Sequence, residues 1–569
     1  MATGIVRKFA RALHPLGVST IALLAPGYEG SAHAAGSPSY AAAVACESLT
    51  QTVIRDGTVN TAETISGGTF TPPGSTPITG LPNFCRVTVT MTPTSDSSIN
   101  VEIWMPAEGW NGRFLATGNG GEAGFVRYDT GLPQGLMRGF AVANTDLGTH
   151  PTGTPPETQP DGVTWVGHPE RWRDFGYRGN HEQTIAGKAV VAAYYQRPPN
   201  YSYFQGCSTG GQQAISLAQQ YPADYNGIIA GAAANNRTHL HTMFVWNFKA
   251  LQQPGAQFDA GQLALISNSV VAACAGKDGG SPADPFLTDP RQCKFDPSTL
   301  PRCAAGTISD SCLTDSQFNA LETVYEGPVN PRTGQRIYPP MPFGAESSGL
   351  GLSYQGDPTQ LPSQQLYPFY WTFGADFDYT KFDFDRDMHS VDETLATVLN
   401  ANDPNLSAFE ASGGKLMQYN GTYDGAVPFS DAINYYERAI KLQGSLAQTQ
   451  DFYRYFLVPG MDHCVGGPGL GHFGQPYSTV LQPDEDHDIL LKLVDWVENG
   501  NAPEQVLARG YSDASDTTVS LERPICPYPE LPVYQGGDRT QASSFLCAKG
   551  PRGEVLAPAR RYLIGRPAR

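Results

Sequence analysis

The chain has 569 residues, more than the roughly 100–200 of one ordinary domain, so a single core carrying a large insertion is expected. Hydrophobic residues make up 40% and charged residues 16%, with 62 Gly and 46 Pro, which describes a loop-rich globular protein and excludes a disordered one. A net charge of -17 without Lys or Arg clusters excludes nonspecific binding to nucleic acid or to an anionic membrane surface.

In chain order, Arg7, Lys8 and Arg11 precede an apolar stretch from Leu16 to Pro26, and Ala32-His33-Ala34 follows as an A-x-A cleavage signal. Residues 1–34 therefore read as a signal peptide, which places the mature protein outside the cytoplasm, secreted or periplasmic. No later stretch reaches the roughly 18 apolar residues of a membrane span. Ten cysteines follow the cut, an even number that favours disulfides in an exported chain, and none stands in a C-x-x-C pair. Spacing alone leaves their connectivity open.

Short β-rich runs recur at 86–91, 100–104, 113–116 and 139–143 and read as the first strands of a sheet. A helix is expected from His181 to Gln196, where Ile185, Ala189, Ala192 and Ala193 recur at helical spacing before Pro198 and Pro199. A strand at 201–204, a turn at 206–211, a helix at 212–220 and a strand at 227–230 continue an alternation typical of an α/β sheet. The pattern lapses from 237 to 404, a stretch rich in Pro, Gly, Asp and aromatics with four cysteines. It resumes with a strand at 415–419, a helix near 431–442, a strand at 453–458 and a helix near 488–498. The expected organisation is a core in two parts, 35–236 and 405–569, interrupted by an insertion at 237–404.

Chemistry concentrates at Gly206-Cys207-Ser208-Thr209-Gly210, a G-x-S-x-G between a predicted strand and a predicted helix. In the α/β-hydrolase fold that context lifts a serine hydroxyl above the sheet on a sharp turn. A serine needs a base, and the base an acid to hold its tautomer; this fold orders them Ser, then Asp or Glu, then His. Of the downstream histidines only His463 directly follows a late strand, and His472 in the same loop is its rival. Asp424 lies in the loop after the preceding strand, whereas Asp462 is the sequence neighbour of His463 and poorly placed to reach across the ring. The oxyanion donors are expected to be the Thr209 N–H and an N–H of the glycine loop 118–124, at Gly120 or Gly121. A dinucleotide-binding reading of that loop fits loosely, since no helix pattern follows it.

Cys207 immediately before the serine and Cys464 immediately after the histidine resemble the tannase and feruloyl esterase family, which includes mono(2-hydroxyethyl) terephthalate hydrolases. Similarity extends through 174–178, His181-Glu182, 206–211, 382–387, 419–428 and 460–469. The resemblance implies an α/β-hydrolase fold whose insertion is a disulfide-bonded lid, and pairs Cys46 with Cys85, Cys207 with Cys464, Cys274 with Cys293, Cys303 with Cys312 and Cys526 with Cys547. It implies a carboxylic ester hydrolase acting on small aromatic esters of feruloyl or galloyl type, with terephthalate monoesters as the alternative substrate and no cofactor for catalysis. Tyr367, Phe369, Tyr370, Trp371 and Phe373 are candidates to stack on the acid ring, or else form the core of the lid. A catalytically dead homologue that binds phenolics or carbohydrate is the reading from another class, and the complete Ser, Asp and His set speaks against it. The resemblance also implies a structural calcium. Asp278 and Asp284 are its candidate ligands beside the Gly280 and Phe286 carbonyls, although Ala275 stands where the family has an acid and the spacing is two residues longer. The alternative is a loop closed by its disulfide alone.

Overall fold

The run from Phe84 to Met91 forms strand β4, in which Cys85, Val87, Val89 and Met91 are buried while Arg86, Thr88 and Thr90 are partly exposed. That alternation is the period-2 signature of a strand covered on one face. It belongs to a nine-stranded sheet in a computed structural model, which describes residues 39–553 apart from 74, 151–161, 349–362, 479, 483 and 512–517. The expected signal segment 1–34 lies outside the described residues.

In chain order the strands are β1 (Gly57–Ile65), a small hairpin of β2 (Thr69–Phe70) and β3 (Ile78–Thr79), β4 (Phe84–Met91), β5 (Ile99–Pro106), β6 (Arg113–Thr117), β7 (Ala141–Thr145), β8 (Tyr201–Cys207), β9 (Gly227–Gly231), β10 (Lys415–Gly421) and β11 (Tyr453–Val458). The large sheet is ordered β1-β4-β5-β7-β6-β8-β9-β10-β11. Pairing is antiparallel from β1 to β7 and parallel from β7 to β11. Neighbouring residues of the parallel strands feed opposite cores. Phe114, Phe204, Ile228 and Leu416 pack on one side with Val190 and Val191 of helix α1 (Gly179–Tyr195). Leu115, Tyr203, Ile229 and Met417 pack on the other with Leu490 and Leu493 of a late helix, Ile489–Asn499. Burial on both faces explains why these strands read as continuous apolar runs. The large sheet and its flanking helices make this an α/β-hydrolase fold, as expected.

Two features escaped the sequence reading. Strand β1 is partly or fully exposed throughout, so it lacks an apolar signature; it is held by its ladder to β4 and by a Cys46–Cys85 bridge next to that ladder. After the last helix come two further antiparallel pairs, β12 (Val506–Tyr511) with β13 (Val519–Ile525) and β14 (Glu530–Tyr534) with β15 (Phe545–Lys549), tied by Cys526–Cys547.

Between β9 and β10 the described chain adds helices and no strand to the large sheet. These include α3 (Arg237–Leu251), α4 (Ala260–Cys274), α5 (Asp315–Glu326), α6 (Ser363–Phe373) and α7 (Arg386–Leu399), with α2 (Thr209–Gln220) preceding them in the core. Helices α4 and α5 each begin in a capping box, Asp259 with Gln262 and Thr314 with Gln317, which satisfies their first free N–H groups. Phe248, Ile266, Leu321, Phe369 and Val391 form a separate apolar cluster there. Cys274–Cys293 and Cys303–Cys312 bridge this stretch, and Cys207–Cys464 bridges the core, so the five pairings are those the family resemblance implies.

Candidate active site

Ser208 stands between the last residue of β8 and the first of α2 with φ 65° and ψ -119°, a backbone conformation unfavourable for a residue with a side chain. The turn is tight enough that a Cβ on Gly206 would lie 2.5 Å from the Gly210 carbonyl oxygen, so only glycine fits. Strain of this kind, held by the structure around it, is characteristic of a nucleophile elbow.

Asp424 and His463 arrive from the carboxyl ends of β10 and β11, on the same edge of the sheet as Ser208. The His463 Nδ1 lies 2.8 Å from Oδ2 of Asp424. A carboxylate only accepts, so Nδ1 carries the proton and Nε2 is left as the basic nitrogen. Asp424 is fully buried, and its other oxygen accepts the N–H groups of Ala426 (2.9 Å) and Val427 (2.8 Å). Burial pulls the His463 pKa down, but attraction to and hydrogen bonding with Asp424, helped by Asp462, outweigh it, and the net shift is upward. Asp462 faces elsewhere: its Oδ1 accepts the His463 backbone N–H at 2.7 Å and the Ser348 hydroxyl at 2.5 Å. His472 is paired with Ser478 at 3.3 Å and bridged through its backbone to Arg509, away from the cleft.

The cleft holds about 340 Å³ and is lined by Ser208, His463, Thr209, Gly120 and Gly121 together with Arg127, Arg237, Leu240, Phe244 and Tyr477. Thr209 opens α2, where the first N–H groups have no partner within the helix. The Gly120 carbonyl accepts the Ala123 N–H, so the far side of that trans peptide turns the Gly121 N–H the opposite way. The glycine loop lies directly on the elbow: a Cβ on Gly118 would meet the Gly210 Cα at 2.6 Å. All the residues expected from sequence at the triad and oxyanion positions are thus gathered at one cleft, apart from Asp424, which is buried behind His463.

The aromatics expected to stack on the acid ring are placed otherwise. Tyr367, Phe369 and Trp371 are buried, with Tyr367 and Trp371 packed against each other at 4.7 Å and against Phe175. None of Tyr367, Phe369, Tyr370, Trp371 and Phe373 lines the cleft; besides His463, the rings that do are Phe244, His241 and Tyr477. Phe244 sits on α3 at helical spacing from Leu240, and sequence alone does not distinguish its face from the core-facing one.

Asp278 and Asp284 do not fit a calcium ion. The Asp284 carboxylate takes both terminal nitrogens of Arg523 at 2.6 and 2.8 Å, between side chains that are 1% and 0% exposed. Asp278 accepts the backbone N–H groups of Gly280, Thr288 and Asp289. A calcium ion needs six to eight oxygens. Here a guanidinium and a set of N–H donors fill the two carboxylates, and no group of three or more metal-ligating side chains occurs among the described residues.

Residues 85–548 match the family described as tannase and feruloyl esterase. The chain belongs to this family. It is 37% identical over 552 residues to an uncharacterized esterase of Xanthomonas campestris, covering 91% of this chain and 94% of that one. It is 31% identical to feruloyl esterase B of Aspergillus niger, over 82% of this chain and 87% of the relative. Among solved structures, feruloyl esterase B of Aspergillus oryzae superposes with a TM-score of 0.81 at 27% identity, covering 88% of this chain and 99% of that one. Tannin acyl hydrolase of Aspergillus niger, at 21% identity and a TM-score of 0.71 over 89% and 95% of the two chains, shares the fold. As a member of the tannase and feruloyl esterase family, the protein is a carboxylic ester hydrolase.

Proposed function

We propose that the protein is an exported serine esterase that hydrolyses esters of aromatic acids, feruloyl or galloyl esters first, through Ser208, His463 and Asp424. The observation that carries this reading is the Asp424–His463 hydrogen bond, which leaves Nε2 basic in the same cleft as the strained Ser208. His463 takes the Ser208 proton as the hydroxyl attacks the ester carbonyl, and the oxyanion forms against the Thr209 and Gly121 N–H groups. Protonated His463 then gives its proton to the leaving alcohol, and water releases the acid by the same steps in reverse order. The cleft volume is that of a pocket for a small ligand, and the apolar faces of Leu240 and Phe244 suit an aromatic ring. Relatives named feruloyl esterase support the choice of acid. Five disulfides support export, since such bonds persist in oxidising compartments.

The test combines labelling and turnover. A fluorophosphonate is expected to phosphonylate Ser208 with loss of fluoride, and methyl ferulate or methyl gallate to be hydrolysed faster than a terephthalate monoester. Absence of labelling overturns the mechanism. Faster turnover of the terephthalate monoester overturns the choice of substrate.

A further inference from the structure

Arg237, the first residue of α3, is 3% exposed and lines the cleft, yet its Nε and Nη1 have no hydrogen-bond partner among the described residues. Among the described residues its guanidinium makes one hydrogen bond, from Nη2 to the Thr209 Oγ1 at 2.5 Å. Thr209 Oγ1 in turn donates to the Gly121 carbonyl at 2.6 Å. The direction of this chain is forced. A guanidinium can only donate, so the threonine oxygen must accept from it, and the single hydroxyl proton is committed to Gly121.

The chain joins three segments far apart in sequence: the start of α3, the start of α2 and the glycine loop. Two of them carry the candidate oxyanion donors, the N–H groups of Thr209 and Gly121. The guanidinium is held in place by the rings of Phe175 and Tyr367, 5.2 and 6.0 Å from its carbon. The groups facing it are the Glu122 carboxylate, the Tyr367 hydroxyl and His241, whose own pKa is driven down to about 3 by burial and by Arg237. The loop has other ties to the elbow, since the Gly210 N–H bonds the Asn119 carbonyl at 2.8 Å and the Asn119 N–H bonds Gln213 at 3.1 Å. The Thr209 hydroxyl is therefore not what keeps the loop folded.

We propose that Arg237 is a positioning residue for ester hydrolysis: acting through the Thr209 hydroxyl, it fixes the spacing of the two oxyanion donors and places a positive charge behind them. This rests on the esterase reading above. A cation in a water-poor setting two hydrogen bonds from the developing oxyanion favours the transition state over the neutral ester, and so acts on kcat and not on ground-state binding.

The test uses the full chain and four variants: Thr209→Val, Thr209→Ser, Arg237→Met and the double Thr209→Val/Arg237→Met. Each is assayed for kcat and KM on methyl ferulate, and for inhibition by a phenylboronic acid, which mimics the tetrahedral oxyanion, and by ferulate, the planar product. Thr209→Val and Arg237→Met are each expected to lower kcat by about 10–100-fold, less than the roughly 100–1,000-fold of a lost donor. KM and ferulate affinity stay within about threefold, while boronate affinity falls in parallel with kcat. Thr209→Ser keeps the relay and is expected to recover most of the kcat lost in Thr209→Val. The double variant loses less than the product of the two single losses, because the relay through the Thr209 hydroxyl is shared by both. Parental kcat in Thr209→Val, multiplying losses in the double, or equal loss of boronate and ferulate affinity overturns the proposal. Should Arg237→Met fail to fold, Thr209→Val, which changes only the hydroxyl, decides alone. A parent enzyme that neither turns over esters nor accepts the fluorophosphonate removes the esterase reading and this proposal together; a working parent with an unaffected Thr209→Val removes this proposal only.

Discussion

Cys207 and Cys464 are bonded to each other with their Cα atoms 5.8 Å apart, so the residue before Ser208 and the residue after His463 are covalently joined. The two sit 257 positions apart in sequence and at the ends of β8 and β11, which are separated in the sheet by β9 and β10. Neither loop can shift without the other. Replacing both cysteines by Ser is expected to lower turnover by about 100-fold in molecules that remain folded, the scale of a 1 Å misplacement. Kinetics on the folded fraction check this, and peptide mapping without reduction must recover the two cysteines as one linked pair.

Ser208→Ala and His463→Ala are each expected to lower kcat by on the order of 10,000-fold or more, since triad members act as a unit. Near-ultraviolet circular dichroism should match the parent. His472→Ala is expected to retain substantial activity, because its ring is engaged with Ser478 away from the cleft. Ester hydrolysis by the three variants, measured side by side, separates the two histidines.

The pH dependence follows from the raised pKa of His463. The base works only when neutral, so a raised pKa means that kcat/KM falls with decreasing pH through a midpoint above the ordinary 6.5. In Asp424→Asn the main attraction is gone and only Asp462 still opposes burial. The acid limb is then expected to move to lower pH while the plateau drops. A profile of kcat/KM against pH for both proteins reads out the direction.

If Arg523 supplies the positive charge beside Asp284, treatment with a chelator is expected to leave the Tm unchanged. Arg523→Met, by contrast, leaves the buried carboxylate with only Arg539 at 3.5 Å for a cation and should destabilise by up to about 3–5 kcal/mol, the cost of breaking a buried pair from one side. Thermal and denaturant unfolding measure both effects. A Tm that drops with the chelator and recovers with calcium would contradict the assignment.

Phe244 is the phenyl ring that α3 presents to the cleft. Phe244→Ala is expected to raise KM for methyl ferulate several-fold and to change hydrolysis of a small acetate ester far less, because only the larger acid reaches that ring. Comparing the two substrates in one variant distinguishes contact with the acid from general damage.

Much of the site was legible in the chain because it depends on local rules. The elbow needs small residues around Ser208, and the acid and base follow strand ends in a set order, so Ser208, Asp424 and His463 could be named from strands whose apolar runs are unmistakable. Strand β1 was not legible, since its side chains are at best partly buried and it is held by pairing and a disulfide. Only tertiary structure decided which aromatics face the cleft: Tyr367 and Phe244 are both aromatic residues on helices, and Tyr367 packs against Phe175 while Phe244 lines the cleft. The same holds for Asp284, whose acidic loop suggests a metal cation until the guanidinium of Arg523, 239 positions away, takes that place. Sequence patterns report periodicity and turn chemistry because these act between near neighbours; the partner of a buried charge is set by which distant segments the fold brings together, and that has no local signature.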